Sequence, residues 1–263
     1  MGNLHLEELE ELKINGSGIA TGGMYKNVKL NGSGKINGDI ECQDMKISGS
    51  GKVKGNIKAE NIKTSGSSLL EGDVEAEYIE SNGSSEITGD VKCGAVSING
   101  SSAFRQDITC EKIEVNGTSK IGGELSGGKI RVNGSMKVAE GCEGEEVIVK
   151  GSIQVGGLLN ADFIDLKLGF HSNVKEIGGE KINIKKYSSL NLFKRLWDVI
   201  VQRNYHLEAD VIEGDVIHLE ATKAKLVRGK DIIISEKCEI DTVEYTDSID
   251  IHPNSVVREK VHV

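Results

Sequence analysis

The side chains of this chain that could do chemistry are five cysteines, six histidines and a spaced series of acidic residues. Cys42, Cys93, Cys110, Cys142 and Cys238 form no Cys-x-x-Cys pair, so zinc-ribbon and thioredoxin spacings are absent. Cys93 and Cys110 stand seventeen residues apart, and two thiols on neighbouring turns of a repeat could serve redox or metal chemistry. No histidine accompanies them, which favours packing as small apolar side chains. Asp39, Asn56, Asp73, Asp90 and Asp107 share the same step. Stacked in a column, they would offer oxygen ligands to Ca²⁺ or bond backbone N–H groups at a corner after glycine. The glycine-rich nonapeptide of calcium-binding repeats is missing, so the second role is expected. His171, His206, His218, His252 and His262 crowd towards the end of the sequence in no recognisable pairing. With no G-x-S-x-G, P-loop or metal-ligand spacing, no catalytic residue, metal site or cofactor is expected.

What would hold such residues in columns is the repeat itself. Gly32, Gly49, Gly66, Gly83, Gly100, Gly117 and Gly134 follow an Asn or Ser and lie seventeen residues apart. Lys150-Gly151 continues the series, and Asn15-Gly16 precedes it by sixteen. A second glycine comes six residues later at Gly38, Gly55, Gly72, Gly89, Gly123 and Gly157. These are corner signals, because Gly and Asn accept positive φ. Between corners, apolar residues recur in register: Val28, Met45, Ile62, Ile79, Val96 and Ile113 in one column, Ile36, Val53, Leu70, Ile87, Phe104 and Ile121 in another. A third column holds Ile40, Ile57, Val74, Val91, Ile108 and Leu125. Within each unit apolar and polar residues alternate, which is a strand period.

Three short strands and three corners per seventeen residues describe one coil of a single-stranded parallel β-helix. The small residues Cys42, Ala59, Ala76, Cys93 and Cys110 form a further column, expected at a tight internal corner. Glu41, Lys58, Glu75 and Lys92 alternate in sign, which would set opposite charges side by side on neighbouring coils. About twelve coils are expected, a rod of roughly 60 Å at strand spacing. Right-handed crossovers are the general rule for parallel strands, while the repeat itself is compatible with either hand.

Composition agrees. Glycine supplies 33 of 263 residues, proline one, and aromatics only 4%, so the core must be aliphatic. A net charge of −9 excludes nucleic acid as the main partner. No apolar run approaches the roughly 20 residues of a membrane-spanning helix. The opening Met1-Gly2-Asn3-Leu4 has neither a basic nor an apolar leader segment. Unpaired cysteines fit a reducing compartment, so a cytoplasmic location is expected.

The fixed period weakens after Leu168. Residues 185–206 lack glycine and place Leu192, Phe193, Leu196, Trp197 and Ile200 at helical spacing beside Lys194 and Arg195. This predicts an amphipathic helical insertion, packed on the solenoid or docking on a partner protein or membrane. The expected organisation is a cap or tail at 1–11, a regular β-helix at 12–184, the insertion, and a less regular β-helical block at 207–263. Ile232-Ile233-Ile234 and Ile249-Asp250-Ile251 in that block recur seventeen apart. Enzymatic β-helices fit poorly. The hexapeptide period of left-handed acyltransferases is missing, and the uniform coils leave little material for the cleft of right-handed lyases and hydrolases.

The units Asn31-Gly32-Ser33-Gly34-Lys35-Ile36-Asn37-Gly38-Asp39-Ile40-Glu41-Cys42 and Ser48-Gly49-Ser50-Gly51-Lys52-Val53-Lys54-Gly55-Asn56-Ile57-Lys58-Ala59 resemble the coils of bactofilins, bacterial polymer-forming cytoskeletal proteins. The likeness runs from about Leu12 to Asp162, and more loosely through the C-terminal block. It implies a right-handed parallel β-helix that assembles end to end without nucleotide, in cell shape, envelope organisation or motility. The partner so implied is a second copy of the chain, with membrane or envelope and motility proteins as further partners. The alternative is a capped, non-polymerising module that works through the 185–206 insertion.

Overall fold

The computed structural model describes residues 9–187 and 207–263. It is an all-β parallel solenoid with about 17 residues per turn and no helix among the described residues. The insertion helix expected at 185–206 falls almost wholly outside those residues, and Lys185 and Lys186 close a strand. The chain divides into two compact units, Met1–Gly128 and Lys129–Val263.

In the first unit, β1 (Leu12–Ile47) runs through the opening coils without a break. Regular coils follow, each a short strand and a longer one: β2 (Ser50–Lys54) and β3 (Ile57–Thr64), β4 (Ser67–Glu71) and β5 (Val74–Ser81), β6 (Ser84–Ile87) and β7 (Val91–Ile98). Then come β8 (Ser101–Phe104), β9 (Ile108–Val115) and β10 (Thr118–Ile121). Each strand pairs in parallel with its equivalent one coil on, as Ile57 with Val74 and Val74 with Val91. The sequence predicts three strands per coil, and the longer strand is indeed two, continuous through a bend. In β3 alternate burial holds to Ala59, fails at Glu60 and Asn61, and resumes at Ile62. The three apolar columns all point inward, every member 3% exposed or less. Each such side chain contributes about 1.5–3 kcal/mol by leaving water, and stacking like on like keeps the interior close-packed.

β11 (Leu125–Val132) carries the chain into the second unit, which holds β12 (Ser135–Val138), β13 (Cys142–Leu168), β14 (Ser172–Lys186), β15 (Leu207–Leu219), β16 (Thr222–Ile234), β17 (Glu239–Ile251) and β18 (Val256–His262). From β12 onward these pair in parallel, each with the next. The step loses its constancy here. Val155 pairs with Val174, nineteen on, and a bulge separates it from Leu158, which pairs eighteen on with Glu176. Leu207 pairs with Thr222, fifteen on, and Ile232 with Ile249, seventeen on. β14 stacks directly on β15 (Ile177 on Ile212), so the solenoid continues past the undescribed stretch. Ile164, Ile182, Ile217 and Ile232 form a buried inward column through four coils.

Candidate assembly surface

The corners are built by backbone stacking. A Cβ on Gly66 would lie 2.2 Å from the Gly49 carbonyl oxygen, and the same clash recurs for Gly83 on Gly66, Gly100 on Gly83 and Gly117 on Gly100. Those carbonyls are in use: Gly49 accepts from Ser67 N–H and Gly66 from Ser84 N–H, each at 2.8 Å. Positive φ, the reason the sequence suggests, applies to Gly32 (φ 132°) within this series but not to Gly49 through Gly117. There the requirement is close approach, with no room for any side chain between one coil and the next. Gly134 plays the same part beneath Gly151, whose Cβ would meet its oxygen at 2.0 Å.

Side-chain ladders flank the glycines. Asn99 Nδ2 donates to Asn82 Oδ1 (2.8 Å) and Asn116 Nδ2 to Asn99 Oδ1 (3.0 Å). On the acidic column, each side-chain oxygen accepts from the backbone N–H one coil on: Asn56 N–H to Asp39 (2.7 Å), Asp90 N–H to Asp73 (3.0 Å), Glu124 N–H to Asp107 (2.8 Å). The column therefore bonds the backbone, and the N–H groups belong to the next coil and not to the local corner. The Glu41–Lys58–Glu75–Lys92 column is in register. Among the described residues its members nevertheless do not close into ion pairs. Pairs form elsewhere, Lys52–Glu71 at 2.6 Å, Lys63–Glu80 at 3.0 Å and Arg105–Glu86 at 2.7 Å.

A polar seam runs inside the first unit that the sequence reading misses. Ser68, Ser85, Ser102 and Ser119 stack one above another and point inward, beside Thr64 and Ser81. Ser85 Oγ meets Thr64 Oγ1 at 2.7 Å, Ser81 Oγ at 2.8 Å and Ser68 Oγ at 3.0 Å, and Ser102 Oγ donates to Ser81 Oγ at 3.1 Å. The signal was present in the sequence, because these serines lie two residues before the Leu70–Ile121 column and so share its face.

No group of three or more metal-ligating side chains occurs among the described residues. His218 Nε2 lies 2.8 Å from Ser235 Oγ, and burial holds its pKa below the usual value. Cys42 is buried, which pushes its thiol up to about 12 with help from Asp44 and Glu41. No helix among the described residues is long and apolar enough to cross a membrane.

The terminal coils differ from the rest. In the first coil Ile19 is 74% exposed and Met24 43%. In the last, Val256 is 58% and Val263 64% exposed. β18 stacks on β17 only from Glu239 to Tyr245. Ile249 and Ile251, which extend the buried columns of Ile232 and Ile234, are consequently only half-buried. Another inward column runs Ile177, Ile212, Val227, Val243 and then ends in Lys260, which is exposed. Leu192, Phe193, Lys194, Arg195, Leu196, Trp197 and Ile200, the expected docking residues, lie outside the described residues.

Regular coils joined by ladders of like residues, with apolar side chains left uncovered on the terminal coils, define a repetitive β-solenoid. Residues 10–108 match the model of the bactofilin family, described as polymer-forming cytoskeletal. The expected likeness reached Asp162, and the match stops at residue 108. Over 105 residues the chain is 43% identical to the uncharacterized protein YhbF of Bacillus subtilis (strain 168), covering 40% of this chain and 41% of that protein. It is 39% identical over the same length to the uncharacterized protein YhbE of that strain, covering 42% of it. The chain thus spans about two fifths of the length of the curated relatives it matches. No solved structure matches.

Proposed function

We propose that this protein is a non-catalytic cytoskeletal scaffold that assembles with copies of itself end to end and without nucleotide. The observation that carries this reading is the incompletely covered apolar end of the second unit, where Ile249 and Ile251 are only half-buried and Val256 is exposed beside the free side of β18. A strand edge with such neighbours is a template for another strand. Ile19 and Met24 give the first coil of the first unit a similar character. The polymer-forming description of the matched family supports the same reading. Cell shape, envelope organisation and motility are the processes such a scaffold would serve, in the cytoplasm or at the membrane.

Electron microscopy of the purified chain without nucleotide tests the reading. Filaments or bundles that disappear in Val256→Asp and Ile19→Asp variants are expected. Discrete particles at every salt and protein concentration would overturn it.

Lys260 favours a second reading, since a charge at the end of an apolar column opposes further stacking there. On that reading the chain is a capped module, organised as 12–184, 185–206 and 207–263. It engages a partner or membrane through Leu192, Phe193, Leu196, Trp197 and Ile200, with Lys194 and Arg195 beside them. Binding to anionic vesicles that is lost on Leu196→Asp/Trp197→Asp is then expected, and equal binding by that variant would exclude it.

A further inference from the structure

We propose that Cys93 and Cys110 are a site of oxidative cross-linking, at which peroxide joins two consecutive coils of the first unit through a disulfide. β7 and β9 run parallel and in register, with Lys92 opposite Thr109, Cys93 opposite Cys110 and Ala95 opposite Lys112. Opposed residues on adjacent strands stand about 4.8 Å apart. That lies within the Cα separation of roughly 4.4–6.8 Å that a disulfide spans. Residues in register on neighbouring parallel strands project to the same face, so both side chains lie in one column. The interaction between the two thiols lowers the Cys110 pKa and raises that of Cys93, while burial raises both. The small-residue column reads Cys42, Ala59, Ala76, Cys93, Cys110 from coil to coil, so it brings only one pair of thiols together.

Access is local to the same pair. Cys42 is 1% exposed, whereas Cys93 is half-buried. The bend beside Cys93 carries Gly94 where neighbouring coils carry Glu77 and Glu111. A small oxidant reaches the pair there. One thiolate attacks a peroxide oxygen, the O–O bond breaks, and the departing hydroxide takes up a proton as water. The sulfenic acid so formed is attacked by the second sulfur, the S–O bond breaks, and a second water leaves with that thiol's proton. Two electrons pass from the thiol pair to one hydrogen peroxide, which becomes two waters.

The test is thiol counting and peptide mapping on the full chain before and after hydrogen peroxide. Reactive thiols in the denatured protein should fall from five by two. Trypsin should release residues 93–105 and 106–112 as one disulfide-linked pair, separated by reductant. The thermal midpoint of the oxidised protein should rise by about 5 °C. That rise should be absent from Cys93→Ser and reversed by reductant. Five thiols persisting in excess peroxide, Cys93 carried to sulfinate with Cys110 free, or linkage between two chains would each overturn the proposal.

Discussion

Thr64 and Ser85, twenty-one residues apart, share a 2.7 Å hydrogen bond in the interior of the first unit, although almost every other inward position there is aliphatic. Ser85 also bonds Ser81 and Ser68, so its hydroxyl is the hub of the seam. Ser85→Ala removes that hub and leaves buried hydroxyls short of partners. A loss of about 1–3 kcal/mol is expected in urea unfolding. Retention of wild-type stability would show the seam to be energetically idle.

Ser119 should behave in the opposite way. Its hydroxyl is buried and has no hydrogen-bond partner. The seam stops there because the facing column, Thr64 and then Ser81, continues as Ile98 and Val115. Ser119→Ala removes a desolvated group that makes no bond, so stability should be unchanged or gain about 1 kcal/mol. Comparing the two alanine variants in one unfolding series separates a used hydroxyl from an unused one.

The corner glycines should tolerate nothing larger. In Gly83→Ala the new Cβ would press on the Gly66 carbonyl at 2.2 Å, and backbone on both sides cannot yield cheaply. A loss of at least about 3 kcal/mol, or failure to accumulate folded protein, is expected. Gly169→Ala is the control, since its Cβ would find nothing nearer than 3.6 Å. Circular dichroism melts of the two proteins should differ widely.

Acid should weaken the first unit. Hydrogen bonds from Lys13 and Asn27 hold the Glu11 carboxyl at about 2, below its ordinary 4.5. Lys52 lowers Glu71, and Asn82 with Lys63 lowers Glu80. Each folded-state pKa lies below the unfolded one, so these groups stabilise fully above about pH 4.5 and progressively less as pH falls towards 2. The thermal midpoint should therefore decline on acidification through that window. Glu71→Gln/Glu80→Gln should decline less, and salt should shrink the difference because the pairs are exposed.

Lys260 offers a gain-of-function test of assembly. Lys260→Ile extends the Val227–Val243 column into the last coil. Sedimentation at increasing protein concentration should show larger assemblies than the wild type. An unchanged distribution would place the self-contact elsewhere.

The regular coils were legible because a fixed step carries both the corner and the face of every residue. Ile62 under Ile79 under Val96 follows from counting alone. The seam escaped notice because serine reads as a corner or surface residue, and only its offset from Leu70 and Ile87 betrays an inward direction. The second unit was harder. Steps of fifteen between Leu207 and Thr222 and nineteen between Val155 and Val174 leave no single period to count by. The pairing of Cys93 with Cys110 could be read from the step, but the partial exposure of Cys93 beside a buried Cys110 could not.

The glycine staircase makes length in the first unit a quantised property. Gly49, Gly66 and Gly83 are interchangeable steps, since each rests on an identical one. Excising residues 66–82 would set Gly83 on Gly49 with every column still aligned, whereas loss of a single residue would dislocate all of them at once. A gene encoding such a unit can grow or shrink by whole coils, so variation among its descendants should be counted in coils.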